Sequence, residues 1–163
     1  MEGGAEVERS RREGAVLRAV VQRVAAAQVI VAGETVGEVG HGLCVLLGVA
    51  ANDDEDVAER LAGKVARVRI FENDEGKFDR SVLDVHGGVL VVSQFTLIAD
   101  SKRQRGTRPD FSKAAPRNVA ERLYEGFCEV LASYGIDVST GRFGARMELA
   151  LVNDGPVTII LEA

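Results

Sequence analysis

A chain of 163 residues, 46% hydrophobic and 28% charged, has room for one core and the composition of an ordinary globular domain. That excludes a second catalytic domain, a fibrous repeat and wholesale disorder, and no apolar run approaches the ~20 residues of a membrane-spanning helix. With 20 Lys and Arg against 25 Asp and Glu the net charge is −5, which excludes indiscriminate nucleic-acid binding, because such binding needs a basic surface that displaces phosphate counterions. Any RNA contact has to be local, and neither a DNA nor a membrane partner is expected.

Residues 1–16 carry Gly3, Gly4 and many Glu and Arg with little apolar content, and read as a disordered extension. Arg9, Arg11, Arg12 and Glu13 interrupt the one place an export signal could occupy. Cys44 and Cys128 lie among apolar neighbours and are too few for a disulfide framework, so they read as reduced core thiols of a cytoplasmic protein.

From Leu17 the pattern is that of successive antiparallel strands: Leu17 to Val24, Val29 to Val31, Val36 to Val39 after a Gly33-Glu34 turn, and Leu43 to Val49 after Gly40-His41-Gly42. A helix follows, because Val57, Leu61, Val65 and Val68 recur at helical spacing between an acidic start, Asp53 to Asp56, and a basic end, Arg67 and Arg69. Asn73-Asp74-Glu75-Gly76 marks a turn, and Val89 to Leu97 reads as an apolar strand. A second helix is expected to start near Pro116, to carry Val119, Leu123, Phe127, Val130, Leu131 and Tyr134 on one face, and to stop at Gly135. Two last strands, Met147 to Val152 and Val157 to Leu161, flank Asn153-Asp154-Gly155-Pro156. The expected fold is α+β, a single compact domain of mainly antiparallel, barrel-like sheet with two principal helices.

Chemistry sought by residue type is sparse. There is no P-loop, GxGxxG or HExxH pattern. His41 and Cys44 have a metal-like spacing, but His86 and Cys128 alone remain to complete a zinc set, so no metal and no cofactor is expected. Ser93 lacks the nucleophile elbow, and Cys128 sits mid-helix with no histidine nearby in sequence. Two segments stand out, Ser93-Gln94-Phe95-Thr96-Leu97 and Asn153-Asp154-Gly155-Pro156-Val157-Thr158, although on composition alone they read as a strand end and a tight turn.

Those segments resemble the paired SQFTL and NxGPVT signatures of the D-aminoacyl-tRNA deacylase family. Leu17 to Val24 is similar to that family's amino terminus, Arg69 to Glu72 to its segment after the helix, and Thr140 to Gly144 to the one before the last strands. The resemblance runs from Leu17 to Ala163 in family order. It implies an enzyme that frees tRNA from a D-amino acid or glycine by hydrolysing the ester to the terminal adenosine. It also implies a homodimer in which Gly155-Pro156 of one subunit, joined by a cis peptide bond, enters the pocket of the other and excludes L-side chains. By itself an X-Pro bond would be expected trans, since cis occurs in only about 5–6% of them.

On the same resemblance Arg23 steadies the Gly-Pro segment, a task for which a guanidinium has the donor fork, although a solvated strand-end arginine is the ordinary alternative. Backbone amides near Phe95 are implied as an oxyanion hole, and the substrate's ribose 2′-hydroxyl as the assistant to water. Ser93, Gln94 and Thr96 complete the catalytic segment, and Thr96 is expected to shape the site because no base activates its hydroxyl. Strand alternation would put Gln94 and Thr96 on one face and Ser93 and Phe95 on the other. Phe143 and Met147 match pocket positions near the adenosine, with core packing as the alternative, and Asn153 and Thr158 are taken as further lining.

Lys102, Arg103, Arg105 and Arg108 form a dense basic loop in an acidic chain. It is a candidate contact for acceptor-stem phosphates, or else a solvated surface. A non-catalytic dimeric RNA-binding module and a small-molecule esterase are the competing functions, and neither accounts for both signatures.

Overall fold

The computed structural model describes residues 16–163, so the expected extension lies, Val16 apart, outside the described residues. The elements run β1 (Arg18–Val31), β2 (Glu34–Val39), β3 (Gly42–Gly48), α1 (Glu55–Arg67), β4 (Phe71–Glu72), β5 (Phe78–Arg80), β6 (Gly88–Ser93), a 3-10 turn (Phe95–Ile98), α2 (Arg117–Ser133), β7 (Val138–Thr140) and β8 (Glu148–Glu162). Both helices fall where the apolar spacing puts them. Asp54 caps α1 by accepting from the Val57 N–H, and Glu55 and Asp56 follow at its positive end.

Three expectations at the strands are corrected. Leu17 to Val24 and Val29 to Val31 belong to one strand, since the chain stays extended through Ala25-Ala26-Ala27-Gln28 and pairs with β8 again from Ala26 after a register shift. The two final strands are likewise one strand, β8, and Asn153-Asp154-Gly155-Pro156 is a bulge on it rather than a hairpin turn. Between Gln22 and Val24 the partner on β8 steps from Thr158 to Asn153, so two steps on β1 face five on β8 and three residues are extruded. The strand through Ser93 ends there, and Phe95–Ile98 winds into the 3-10 turn.

The main sheet has the order β2-β1-β3-β6-β7, with β8 on the other edge of β1. Pairings of β1 with β2, β3 and β8 are antiparallel, whereas β6 runs parallel to β3 and β7 parallel to β6. The crossover through α1 is what allows that parallel pair. β2 approaches β7 so closely that a side chain at Gly37 would run into the Thr140 carbonyl, and the sheet is thereby nearly closed into a barrel.

The core lies in two layers. Val57, Leu61 and Val65 of α1 and Leu123, Phe127 and Leu131 of α2 pack on Ala19, Val21, Leu43, Val45, Leu47, Val89 and Val91. The opposite face of the same strands, Cys44, Leu90 and Val92 with Val24, Ala27 and Val29, fills the curl of the sheet. Burying each such Leu or Phe contributes about 1.5–3 kcal/mol. The odd positions of β1 face the helices up to Val21 and Val24 faces the curl, but Ala27 and Val29 face the curl as well, so the alternation slips between Val24 and Ala27, where the register with β8 also shifts.

Candidate active site

The parallel strands β3 and β6 end side by side, and an apolar cavity of about 480 Å3 opens beyond their carboxyl ends. It is lined by Leu47, Val49, Val92 and Ser93 from the strand ends, by Gln94 and Phe95, and by Phe143, Met147 and Leu149. Thus five of the residues named from the sequence, Ser93, Gln94, Phe95, Phe143 and Met147, meet around one cavity. Phe143 and Met147 are partly buried, and each both packs against the core and lines the space.

The catalytic segment is held from behind. The Gln94 N–H donates to the Leu47 carbonyl at 2.8 Å, and Arg18 Nη1 donates to the Leu97 carbonyl at 3.0 Å. A Cβ at Gly48 would sit 2.9 Å from the Leu97 Cβ, so only glycine lets the end of β3 lie this close beneath the turn. Because the chain winds here, the strand-alternation expectation fails in one respect. Gln94 and Thr96 do meet, Gln94 Nε2 donating to Thr96 Oγ1, but through the turn and not across a strand face, and the cavity is lined by Ser93, Gln94 and Phe95 together. In a 3-10 turn the first backbone N–H groups, here those of Phe95 and Thr96, have no partner within the turn. Phe95 is 57% exposed and leans edge-on against Phe111, with ring centroids 5.2 Å apart.

Phe143 sits between the Tyr124 ring, 5.7 Å away, and the Arg117 guanidinium, 5.9 Å from its centroid. Tyr124 is fixed by donating its hydroxyl to the Val91 carbonyl at 2.8 Å, and burial raises its pKa. Burial likewise pushes the Cys44 thiol up to about 11 and the Cys128 thiol up to about 12, so neither offers a thiolate nucleophile near neutrality. Among the described residues no three His, Cys, Asp or Glu side chains converge as a metal-binding group.

The second group of named residues lies elsewhere. Arg23 is 5% exposed, so the solvated strand-end alternative does not hold; its Nε donates to the Asp154 carbonyl at 3.1 Å and its Nη1 to the Ile70 carbonyl at 2.8 Å. Glu72 and the Asp154 carboxylate stand 3.6 and 3.4 Å from the same guanidinium. Above it the bulge presents Asn153, Gly155 and Pro156 to solvent. Gly155 has φ +124°, and the Gly155-Pro156 bond is cis. A Cβ at Gly155 would come within 2.9 Å of Val157 Cγ2 and 3.1 Å of Arg23 Nη2, so both backbone angle and space call for glycine. Thr158 pairs with Gln22 in the ladder. None of Arg23, Asn153, Gly155, Pro156 and Thr158 lines the cavity in the same chain. Lys102, Arg103, Arg105 and Arg108 are all exposed, on a loop closed by an Arg105–Arg108 bridge.

Among the cavity-lining residues that sequence reasoning missed are Ala114, Ala115 and Ala120, which give it room, and Arg117. The alanines carried no chemical signal. Arg117 did not stand out in the sequence either.

Comparison with known proteins places the chain. The family model described as D-Tyr-tRNA(Tyr) deacylase matches residues 20–162. A protein of Roseiflexus sp. (strain RS-1) named D-aminoacyl-tRNA deacylase is 55% identical over 90% of this chain and 94% of its own length. One of Dinoroseobacter shibae with the same name is 56% identical over 90% of this chain and 99% of its own. Among solved structures, one titled c-Myc DNA Unwinding Element Binding Protein superposes with a TM-score of 0.82 at 41% identity, covering 90% of this chain and 98% of that one. Another, titled as a probable eukaryotic D-amino acid tRNA deacylase, reaches a TM-score of 0.80 at 18% identity, over 91% of this chain and 100% of that one, and shares the fold. With its fold, its two signatures and its relatives in agreement, the chain belongs to the D-Tyr-tRNA(Tyr) deacylase family.

Proposed function

We propose that the protein is a D-aminoacyl-tRNA deacylase that hydrolyses the ester between a D-amino acid, or glycine, and the terminal adenosine of tRNA. It works as a homodimer in the cytoplasm and needs no cofactor. The observation that carries the reading is the meeting of Ser93, Gln94, Phe95, Phe143 and Met147 around one apolar cavity beside a 3-10 turn whose first N–H groups have no partner within it.

The terminal adenosine lies against Phe143 and Met147, and the ester carbonyl faces the N–H groups of Phe95 and Thr96. Water attacks that carbonyl with the ribose 2′-hydroxyl assisting, and the oxyanion gains about 3 kcal/mol from each preorganised donor. The carbon–oxygen ester bond then breaks, the ribose oxygen takes a proton, and free amino acid and tRNA leave. No side-chain nucleophile is required, in keeping with thiols held protonated by burial.

Chirality is read by rejection. Gly155 and Pro156 of one protomer, presented on the bulge and braced by Arg23, close over the cavity of the partner and leave no room for an L-side chain. Supporting this, the bulge is exposed and lies apart from the cavity of its own chain, while the outward face of β8 carries Val152 and Ile160, 60% and 63% exposed. Apolar surface of that kind suits a subunit contact. The exposed basic loop meets acceptor-stem phosphates.

Subunit complementation tests the arrangement. One protomer carries Phe143→Asp, which spoils the cavity, and the other Gly155→Ala, which displaces the bulge. A site shared between subunits leaves one intact site per mixed dimer, and since half the dimers are mixed after equal mixing, D-selective activity returns to about a quarter of wild type. A site contained in one chain gives no recovery, and that result would sink the reading.

A further inference from the structure

Every residue lining the cavity is neutral except one, Arg117. Its guanidinium rests 5.9 Å from the centroid of Phe143 and makes no hydrogen bond or ion pair among the described residues. Gly144, at φ +75°, lets the next turn of chain close directly on it, since a side chain there would collide with Nη2. The chain is acidic overall, and its other exposed cations sit beside carboxylates in several places: Arg122 beside Glu55, Arg69 beside Asp79, Arg80 beside Asp74. Arg117 has none, although it stands exposed at the rim of an apolar space. A charge so placed wants an anion carried by whatever fills the cavity.

We infer that Arg117 binds the phosphate on the 5′ side of the terminal nucleoside, so that the cavity recognises a nucleoside 5′-phosphate and not a nucleoside ester alone. The inference rests on the deacylase reading for the identity of that nucleoside. The aminoacyl-adenosine end of a charged tRNA carries one phosphodiester one sugar away from the base, and the planar fork of an arginine suits two of its oxygens. Resting on the Phe143 ring holds the fork at the rim while leaving its edge N–H groups for the phosphate. Arg117 is thus a specificity-determining residue, and the phosphate it holds fixes how far the sugar and its ester enter the cavity.

Calorimetric binding of 5′-AMP and of adenosine to the full-length wild-type protein, to Arg117→Gln and to Arg117→Lys reads this directly. The wild type should prefer 5′-AMP by about tenfold, the preference should fall close to one in Arg117→Gln, and Arg117→Lys should keep part of it. No preference in the wild type, including no binding of either compound, overturns the inference. So does an equal weakening of both compounds in Arg117→Gln, which would make the arginine a prop for Phe143. A parallel deacylation assay separates the remaining cases. A defect of Arg117→Gln on D-aspartyl-tRNA but not D-tyrosyl-tRNA assigns the guanidinium to the acyl group and also overturns it. A wild type inactive on both charged tRNAs sinks the deacylase reading instead, while the 5′-AMP preference still decides the phosphate site.

Discussion

Arg23 donates to the carbonyl of Asp154 at 3.1 Å from a position where its side chain is almost wholly buried, and thereby ties the base of the Asn153–Pro156 bulge to β1. The same guanidinium donates to the Ile70 carbonyl, so one side chain joins β1, the segment after α1 and β8. A lysine has no fork with which to reach both carbonyls. Arg23→Lys should therefore lower the unfolding free energy by about 1–3 kcal/mol, the penalty of a buried acceptor left unpaired, and Arg23→Ala by at least as much. Denaturant midpoints measure this. A variant as stable as wild type would show that the bulge stands without its brace.

Thr96 accepts a hydrogen bond from Gln94, is exposed, and has no histidine or carboxylate bonded to its hydroxyl among the described residues. A hydroxyl so placed is not an activated nucleophile. Thr96→Ala should reduce kcat on D-tyrosyl-tRNA by less than about tenfold, whereas loss of a true nucleophile costs orders of magnitude. A collapse beyond about a thousandfold, with unfolding unchanged, would restore the threonine as nucleophile.

How much of this was legible beforehand depended on whether a segment announced itself locally. The helices did so through apolar spacing, and Asp54 as a cap agreed with the pattern. Asn153-Asp154-Gly155-Pro156 misled because those residues favour hairpin turns, yet β1 is long enough to pair on both sides of them and turns the same residues into a bulge. Nothing in Ser93-Gln94-Phe95-Thr96-Leu97 signals the end of a strand; the turn is imposed from outside by Leu47, Gly48 and Arg18. Phe143 and Met147 were found through a family resemblance, because their own pattern was that of core residues. Arg117 could not be found, since a single arginine after a proline carries no signal until the ring of Phe143 and the cavity stand beside it.

The basic loop offers a reading in salt. Arg103 and Arg105 are exposed and outside any ion pair among the described residues. Each phosphate contact releases counterions, so replacing both with Ala should reduce the slope of log K against log salt for tRNA binding by about 1.5–2. An unchanged slope would remove the loop from the tRNA contact.

Asp100 anchors that loop. Lys113 lies 3.1 Å from its carboxylate, which also accepts from the Lys102 N–H. The Lys113 partner first, and then the backbone bond, hold its pKa below the ordinary 3.8. A lowered carboxylate pKa makes the contribution fully present above the ordinary value and lost as pH falls through the folded one. Asp100→Asn should thus melt below the wild type at neutral pH, and the gap should close as the pH falls below the ordinary carboxylate range and through the lowered folded value. A gap that persists unchanged into acid would mean that the ion pair contributes nothing and the substitution acts through packing.

Chiral selectivity is the centre of the account. The most direct measurement is the deacylation rate of D-tyrosyl-tRNA against that of L-tyrosyl-tRNA, on the same tRNA, by the purified full-length protein. The account predicts rapid release of the D-amino acid with the L-ester decaying no faster than in buffer. Equal hydrolysis of both esters, or of neither, would contradict it.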